Sequence, residues 1–387
     1  MNDPADIEEQ RKVEAVIDAA SIAFEIAVLS IIAERLGTLE SLSITEAYAR
    51  MPEDLARIRQ AVADGIKNLQ STTKSVMDKM AKANDEWAAK YYKARNKQQV
   101  AAFNHSLLGQ TLQQYTDSAT KNISAFCRSS VVRIGNKGSA YVPIAEAYRR
   151  LVTSTATAMT AGNTTGQQAI KEAVTALSNS GLRVMYQSGA TRNLQTAIRT
   201  NVMDAYRTAM SSMREIQGEE FEADGVEVSA HALCAKDHQE YQGNQYSYER
   251  RRGYRIWREV QFEPARPLVS GANCHHTVFP VILGVSRKAY TDKELQQLKD
   301  RSNENVSFTG LSGETLTMSR YDASQYQRKI ETAIRYQKEQ AYLLKQSGQS
   351  ASTPTSAARS LTAKYKDMSA QMGLTPRLEN TRIYVPK

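Results

Sequence analysis

The sequence predicts a mainly α protein, with a long-helix N-terminal region, a small α+β module and a helical, basic C-terminal arm. Two observations carry that prediction. Apolar residues recur at three- and four-residue steps through most of the chain, with few Gly or Pro before residue 130. Between residues 225 and 285 the period shortens to two, and Gly, Pro, Tyr, His and Cys become frequent.

From Asp3 to Gln113 the pattern is helical, and Val13, Val16, Ile17, Ala20, Phe24, Ala27 and Ile31 define the stripe of a first amphipathic helix. Pro52 stands where proline is tolerated, in the first turn of a helix running on through Asp54 to Gln70. Gly135, Gly138 and Pro143 break the period, so Val131 to Pro143 reads as a turn-rich connection with room for a short hairpin. A second break covers Ala161 to Gly166. Ile170, Val174 and Leu177 mark one face of a short helix that stops at Ser180 and Gly181. Another helix begins near Thr191, with Leu194, Ile198, Val202, Ala205 and Ala209 as its stripe to about Gly218, so the first two hundred residues read as almost wholly helical.

At Gly225 the character changes. Val226, Val228 and Ala230 alternate with Glu227 and Ser229, the pattern of a half-buried strand, and a second apolar run covers Val278 to Leu283. After Tyr290 helices return, with a stripe through Tyr326, Ile330, Ile334, Gln337, Ala341 and Leu344; a Ser/Thr/Ala-rich linker, Ser347 to Ser360, precedes the last helix. The organisation is therefore a helical region over 1–130, a second over 131–222, the α+β module over 223–290 and the arm over 291–387.

Composition narrows the function classes. A chain of 387 residues, 41% hydrophobic and 24% charged, has room for two or three folded units and is neither a disordered tail nor a membrane protein. Glu14, Asp18, Glu25 and Glu34 interrupt the apolar stretch Val13 to Leu36, which argues against a membrane span, and the acidic start Met1 to Glu9 is unlike an export signal. Cys127, Cys234 and Cys274 are too few and scattered for a disulfide framework, so synthesis in a reducing cytoplasm is expected. Of the net charge of +9, +7 lies between Arg320 and Lys387, where 12 Lys/Arg stand against 5 Asp/Glu; such an arm suits nucleic acid or an acidic partner, and equally a solvated helix face.

Four of the five histidines and two of the three cysteines fall within residues 231–276, as His231, Cys234, His238, Cys274, His275 and His276. Imidazole and thiolate are preferred zinc ligands, yet this spacing matches no common zinc-finger pattern and adjacent ligands are geometrically awkward. The alternative is a compact core in which these side chains bond to one another, with His231 and His276 facing across paired strands. A Cys/His nucleophile pair oriented by Asp237 is a third reading, without an oxyanion-hole signature to support it. No phosphate-cradling glycine loop, His-Glu-x-x-His helix or Gly-x-Ser-x-Gly elbow is present, so no complete catalytic signature emerges. Arg250, Arg251, Arg252, Arg255 and Arg258 interleave with Tyr246, Tyr248, Tyr254 and Trp257, a combination that can neutralise phosphates and stack on bases. A solvated loop, or a patch that meets an acidic protein surface, explains the same residues.

The run Thr191 to Arg199, then Gly225-Val-Glu-Val-Ser-Ala-His231, His238, Gln242-Gly243 and Asn273-Cys-His-His276, resembles in the same order the central pattern of the phage minor capsid protein 2 family. Tyr321 to Glu331, Ile334-Arg335 and Arg382 to Val385 resemble that family's C-terminal helix and ending, so the likeness runs from about residue 180 onward. Ala235-Lys-Asp-His238 replaces the usual Arg-Pro-x-His, His275 replaces an arginine, and Cys234 has no usual counterpart. The resemblance thus supports His231, His238, Cys274 and His276 as the set that would bind zinc. More distantly, Asn-Cys-x-His is similar to the Mu F-like head morphogenesis proteins. The resemblance implies a minor structural protein of a tailed-phage head, made in the host cytoplasm and residing in the virion near the portal. Its implied partners are the portal protein, the major capsid protein and double-stranded DNA, and its implied role is head morphogenesis or DNA packaging or ejection. A metal-dependent hydrolase or nuclease using the His/Cys cluster is the alternative, and a toxin-like effector the third.

Overall fold

The computed structural model describes residues 6–96, 105–134, 139–161, 164–265, 267–269 and 274–385. Asp3, Gly135, Gly138 and Asn273, used in the sequence reading, lie outside these residues. The protein is mainly α, as the periodicity predicts. The first helix, α1 (Ile7–Thr38), starts at Asp6, whose side chain accepts from the Glu8 amide at 2.8 Å. It is followed by α2 (Ile44–Asn96), α3 (His105–Arg128), the hairpin β1 (Val131–Arg133) and β2 (Tyr141–Pro143), α4 (Ile144–Thr160) and α5 (Gly166–Ser180). A second hairpin, β3 (Arg183–Met185) and β4 (Thr191–Asn193), leads into α6 (Leu194–Glu219). The two hairpins pair into an antiparallel sheet of order β2-β1-β3-β4. Both hairpins are too short to show a period in sequence.

Around α1 the periodicity finds only part of the buried surface. Ile17 and Phe24 of the predicted stripe are buried, and so are Ile26, Val28, Leu29, Ile32, Ala33 and Leu36 outside it, whereas Val16, also of the stripe, is 48% exposed. The helix is apolar on nearly every side and sits at the centre of the bundle, so no single stripe marks its inner face. The stretch Ile7–Ser41 passes a length and composition test for a membrane span, yet 56% of its most apolar window is buried in this fold. The charges within it have protein partners: Asp18 accepts from Arg199 at 2.9 Å, Glu25 from the Leu182 amide at 2.6 Å, and Arg35 donates to Asp54 at 2.5 and 2.9 Å.

Pro52 also differs from expectation, since it lies inside α2 rather than in a first turn. The helix begins eight residues earlier because Ser43 and Glu46 cap each other: the Ser43 amide donates to Glu46 Oε2 at 2.8 Å and the Glu46 amide to Ser43 Oγ at 3.2 Å. One hydrophobic core runs through α1 to α6 and both hairpins.

The module after α6 is built on β5 (Gly225–Val228), flanked by β6 (Gln245–Ser247) and β7 (Val278–Val281), with the short α7 (Trp257–Val260) between the last two. β5 is buried along its whole length, not half-buried, because it is the central strand. Glu227 tolerates this by accepting from the Ala289 amide at 2.8 Å and Gln245 Nε2 at 2.9 Å. Helix α8 (Asp292–Asn303) then precedes a hairpin, β8 (Asn305–Thr309) and β9 (Thr315–Ser319), that the sequence reading took as helical. Helix α9 (Arg320–Gln346) follows, and α10 (Ser352–Gln371) takes in most of the predicted linker, leaving Ser347 to Ala351 as the connection. The C-terminal region has a core of its own, formed by Phe308, Ile330, Ile334, Tyr365 and Met368, while Leu343 and Leu344 at the far end of α9 join the main core. The basic region therefore folds back on the bundle.

Candidate metal centre

Pairing of β5 with β7 continues past the strands, where the Ser229 amide donates to the Thr277 carbonyl at 2.9 Å. His231 and His276 follow and precede these positions, so their rings meet with centroids 4.5 Å apart. The chain then reverses at Leu233, whose φ of 61° is the left-handed conformation and whose amide donates to Ser302 Oγ at 3.0 Å. That reversal carries His238 to the other side of His276, with ring centroids 5.3 Å apart.

Among the described residues, two groups of three have ligand atoms within 4.8 Å of one another: His238–Cys274–His276 and His231–Cys234–His276. The structure thus divides the set expected from the resemblance. His238, Cys274 and His276 come together, while His231 lies across His276 beside Cys234, the residue without a usual counterpart. Cys274 Sγ lies 3.5 Å from His238 Nδ1 and 3.1 Å from His276 Nδ1, and Cys234 Sγ lies 3.6 Å from His276 Nε2. Tetrahedral zinc, with bonds of about 2.3 Å to sulfur and about 2.0 Å to nitrogen, places those atoms about 3.5 Å apart.

Gln242 distinguishes the two groups. Its Oε1 accepts from the His231 amide at 3.1 Å and lies 3.2 Å from His276 Nε2, so it favours the tautomer that donates from Nε2 and leaves Nδ1 bare towards Cys274. His238 is oriented in the same manner: Nδ1 faces Cys274 while Nε2 lies 3.8 Å from Asp237 Oδ2. Outer partners of this kind hold ligating imidazoles in place. Burial, above all, pushes the His276 pKa well below its usual value and that of His231 down to about 4, so both rings are neutral, the form that ligates. As a thiol, Cys274 donates to the Leu268 carbonyl at 2.8 Å; metal binding would take that proton away. Donor chemistry and spacing fit zinc with three protein ligands, and the same contacts form a hydrogen-bonded core cluster without it.

Adjacent histidines are no obstacle, because His275 belongs to neither group and has partners of its own. His275 Nδ1 lies 3.2 Å from Arg207 Nη2, and its carbonyl accepts from Gln10 at 3.1 Å. Arg207 is buried and also donates to Gln10 Oε1 at 2.8 Å and Glu14 at 3.1 Å, so this histidine docks the module on α1 and α6. On the other flank, Tyr91 donates to the Pro280 carbonyl at 2.9 Å and the Arg214 guanidinium lies 3.9 Å above the Trp87 ring.

The five arginines proposed for DNA are exposed, four of them in a loop and Arg258 on α7, but two of their four aromatic neighbours face inward. Tyr246 and Trp257 are only 3% and 5% exposed and belong to the core of the module, so neither is available to stack on a base. Arg251 is paired with Asp224 and donates to the Leu283 carbonyl, and Arg255 is paired with Glu263. Arg250, Arg252 and Arg258 are exposed as well.

The family model for phage minor capsid protein 2 matches residues 14–371. The chain belongs to that family. No curated protein and no solved structure matches it. The minor capsid protein 2 match takes in α1 to α5, upstream of residue 180, where the residues offered helical character but no distinctive motif. It includes the whole His/Cys cluster and the arginine loop. The protein is accordingly a phage structural protein, and the family places it in the virion.

Proposed function

We propose that this minor capsid protein acts at the portal vertex of a tailed-phage head, binding the portal protein and, beside it, the major capsid protein, during head assembly and the packaging or ejection of double-stranded DNA. The family match over nearly the whole chain carries this reading. The fold supports it: the bundle and the module are joined by contacts of Arg207 and Gln10 with His275, of Tyr91 with Pro280 and of Arg214 with Phe279, which hold the two together for partners to bind. The His/Cys cluster fits as a zinc site that fixes the loop before α8, held by His238, Cys274 and His276. For DNA, Arg250, Arg252 and Arg258 offer phosphate contacts without base readout, alongside Arg251 and Arg255.

Co-expression with the portal protein of the same phage, followed by size-exclusion chromatography with light scattering, tests the reading. A discrete, salt-resistant complex is expected. Elution of the chain alone under every condition would overturn it. One observation favours a second reading, a metal-dependent hydrolase: three protein ligands leave zinc an open position, the arrangement of catalytic rather than structural sites. Metal-dependent turnover of a nucleic acid or peptide, lost in Cys274→Ser, would select it.

A further inference from the structure

The two stretches that carry the sequence resemblance, His231 to His276 and Tyr321 to Glu331, face each other across one cavity of about 120 Å3. One wall consists of His231, His238, Cys274, His275 and His276. The other is a single face of α9, where Tyr321, Ser324, Gln325 and Arg328 recur at three- and four-residue steps, with Arg11 and Arg377 closing the ends. Among the described residues, no carboxylate lines this space.

Its charges are unbalanced. Arg11 is paired with Glu8, but neither Arg328 nor Arg377 makes a hydrogen bond or ion pair through its guanidinium among the described residues. Burial is the main cause that pushes the Arg328 pKa down; Glu14 pulls it up, and Arg199 and Arg377 push it further down. The carboxylates that offset this charge, Glu14 and Glu331, line the adjoining pocket that shares Arg328 and Arg377, and neither guanidinium has a carboxylate within ion-pair distance, so both lack a direct partner on the cavity side. Elsewhere the fold neutralises such groups, as Asp54 does for Arg35 and Glu14 for Arg207.

We propose that this cavity binds a phosphate group, held by Arg328 and Arg377 against the His/Cys wall. A phosphate carries close to two negative charges, matching the two unpaired guanidiniums, and its tetrahedral oxygens can meet donors on both walls, where a planar carboxylate meets one fork. The cavity, about 120 Å3, has room for one phosphate and is too small for a duplex. The ligand is therefore free phosphate or a terminal phosphate monoester. The inference stands independently of portal binding.

Isothermal titration of the full chain with inorganic phosphate tests it. One saturable site per chain is expected, weakened at least tenfold by Arg328→Gln and by Arg377→Gln, and unchanged by Arg59→Gln on the exposed face of α2. Phosphate should also raise the Tm of the natural protein and not of the two variants. Arg377 lies outside the helices, so its variant decides the matter even if Arg328→Gln fails to fold. Competition by a 5′-phosphorylated single strand, and not by its unphosphorylated form, would identify a nucleic-acid end as the source; no competition would identify free phosphate. Absence of saturable binding, or equal weakening by Arg59→Gln, would overturn the proposal.

Discussion

The bundle and the cavity beside the module treat charge in opposite ways. In the bundle, Arg35 donates twice to Asp54, and the same carboxylate accepts from Tyr148 at 2.5 Å; all three are buried and each completes the others. At the cavity, Arg328 and Arg377 have no carboxylate within ion-pair distance, and Glu14 and Glu331 offset their charge from the adjoining pocket. The first arrangement serves the fold alone. The second leaves two cations without a direct partner on a wall that a ligand can reach, and a charge held in that way points to function more than burial alone does.

The comparison is broken most severely at Asp54. Asp54→Ala leaves the Arg35 charge buried without a partner and removes the acceptor of Tyr148, and should cost about 3–5 kcal/mol in urea unfolding. A loss under about 1 kcal/mol would show that water reaches Arg35 and that the bundle does not depend on internal pairing. At the module the effect should come from metal. Zinc at a hundredfold excess over its Kd should add about 2.7 kcal/mol, and a chelator should remove it. Metal analysis should find zinc lost in His238→Ala and Cys274→Ser and kept in His231→Ala and Cys234→Ser; the reverse pattern would assign the other triad.

The fold class was legible because it rests on period and punctuation. Leu177, Ser180 and Gly181 gave the end of α5 correctly, Gly181 having a φ of 57° as its C-cap. What escaped was whatever depends on tertiary context. The stripe read on α1 took in Ile17 and Phe24 but missed Ile26, Val28 and Leu29, since a helix surrounded by others has no polar face to orient it. Hairpins of three-residue strands around Arg183 and Asn193 are held by register, Val184 opposite Arg192, which no local pattern announces. The metal-ligand residues were legible as types, but their grouping was not. Cys234 was set aside for lack of a counterpart, and only the left-handed turn at Leu233 shows it facing His276. The wall formed by α9 was present in sequence as Tyr321, Ser324, Gln325 and Arg328, and a search for polar residues at helical spacing would have found it.

A smaller effect lies at Asp204, the weaker partner of Arg207. Burial raises its pKa to about 6, against the pull of Arg207, which lies 3.9 Å away and is better paired with Glu14 at 3.1 Å. Because the folded-state value exceeds the unfolded one, the folded chain binds this proton more tightly. Stability from this group is full below the unfolded pKa of about 3.9 and is lost as pH rises through about 6. Asp204→Asn should therefore stabilise the protein above pH 6 and lose that advantage near pH 4. With the side chain 32% exposed, solvent screening reduces the gain to about 1 kcal/mol. A variant equally favourable at both pH values would mean that shape, not charge, is responsible.

The smallest effect is expected on the outer surface, where charge is neither paired inside nor waiting in a cavity. Arg250, Arg252 and Arg258 are exposed, so replacing them with Gln should leave the Tm almost unchanged. If they meet DNA phosphates, each replacement lowers the slope of log affinity against log salt by about one, uniformly across sequences. Arg251 and Arg255 already face Asp224 and Glu263, so their replacement should change the slope less and the stability more. Equal slopes for all variants would remove DNA from this loop and assign its charge to an acidic protein surface, where affinity depends on position as well as on number.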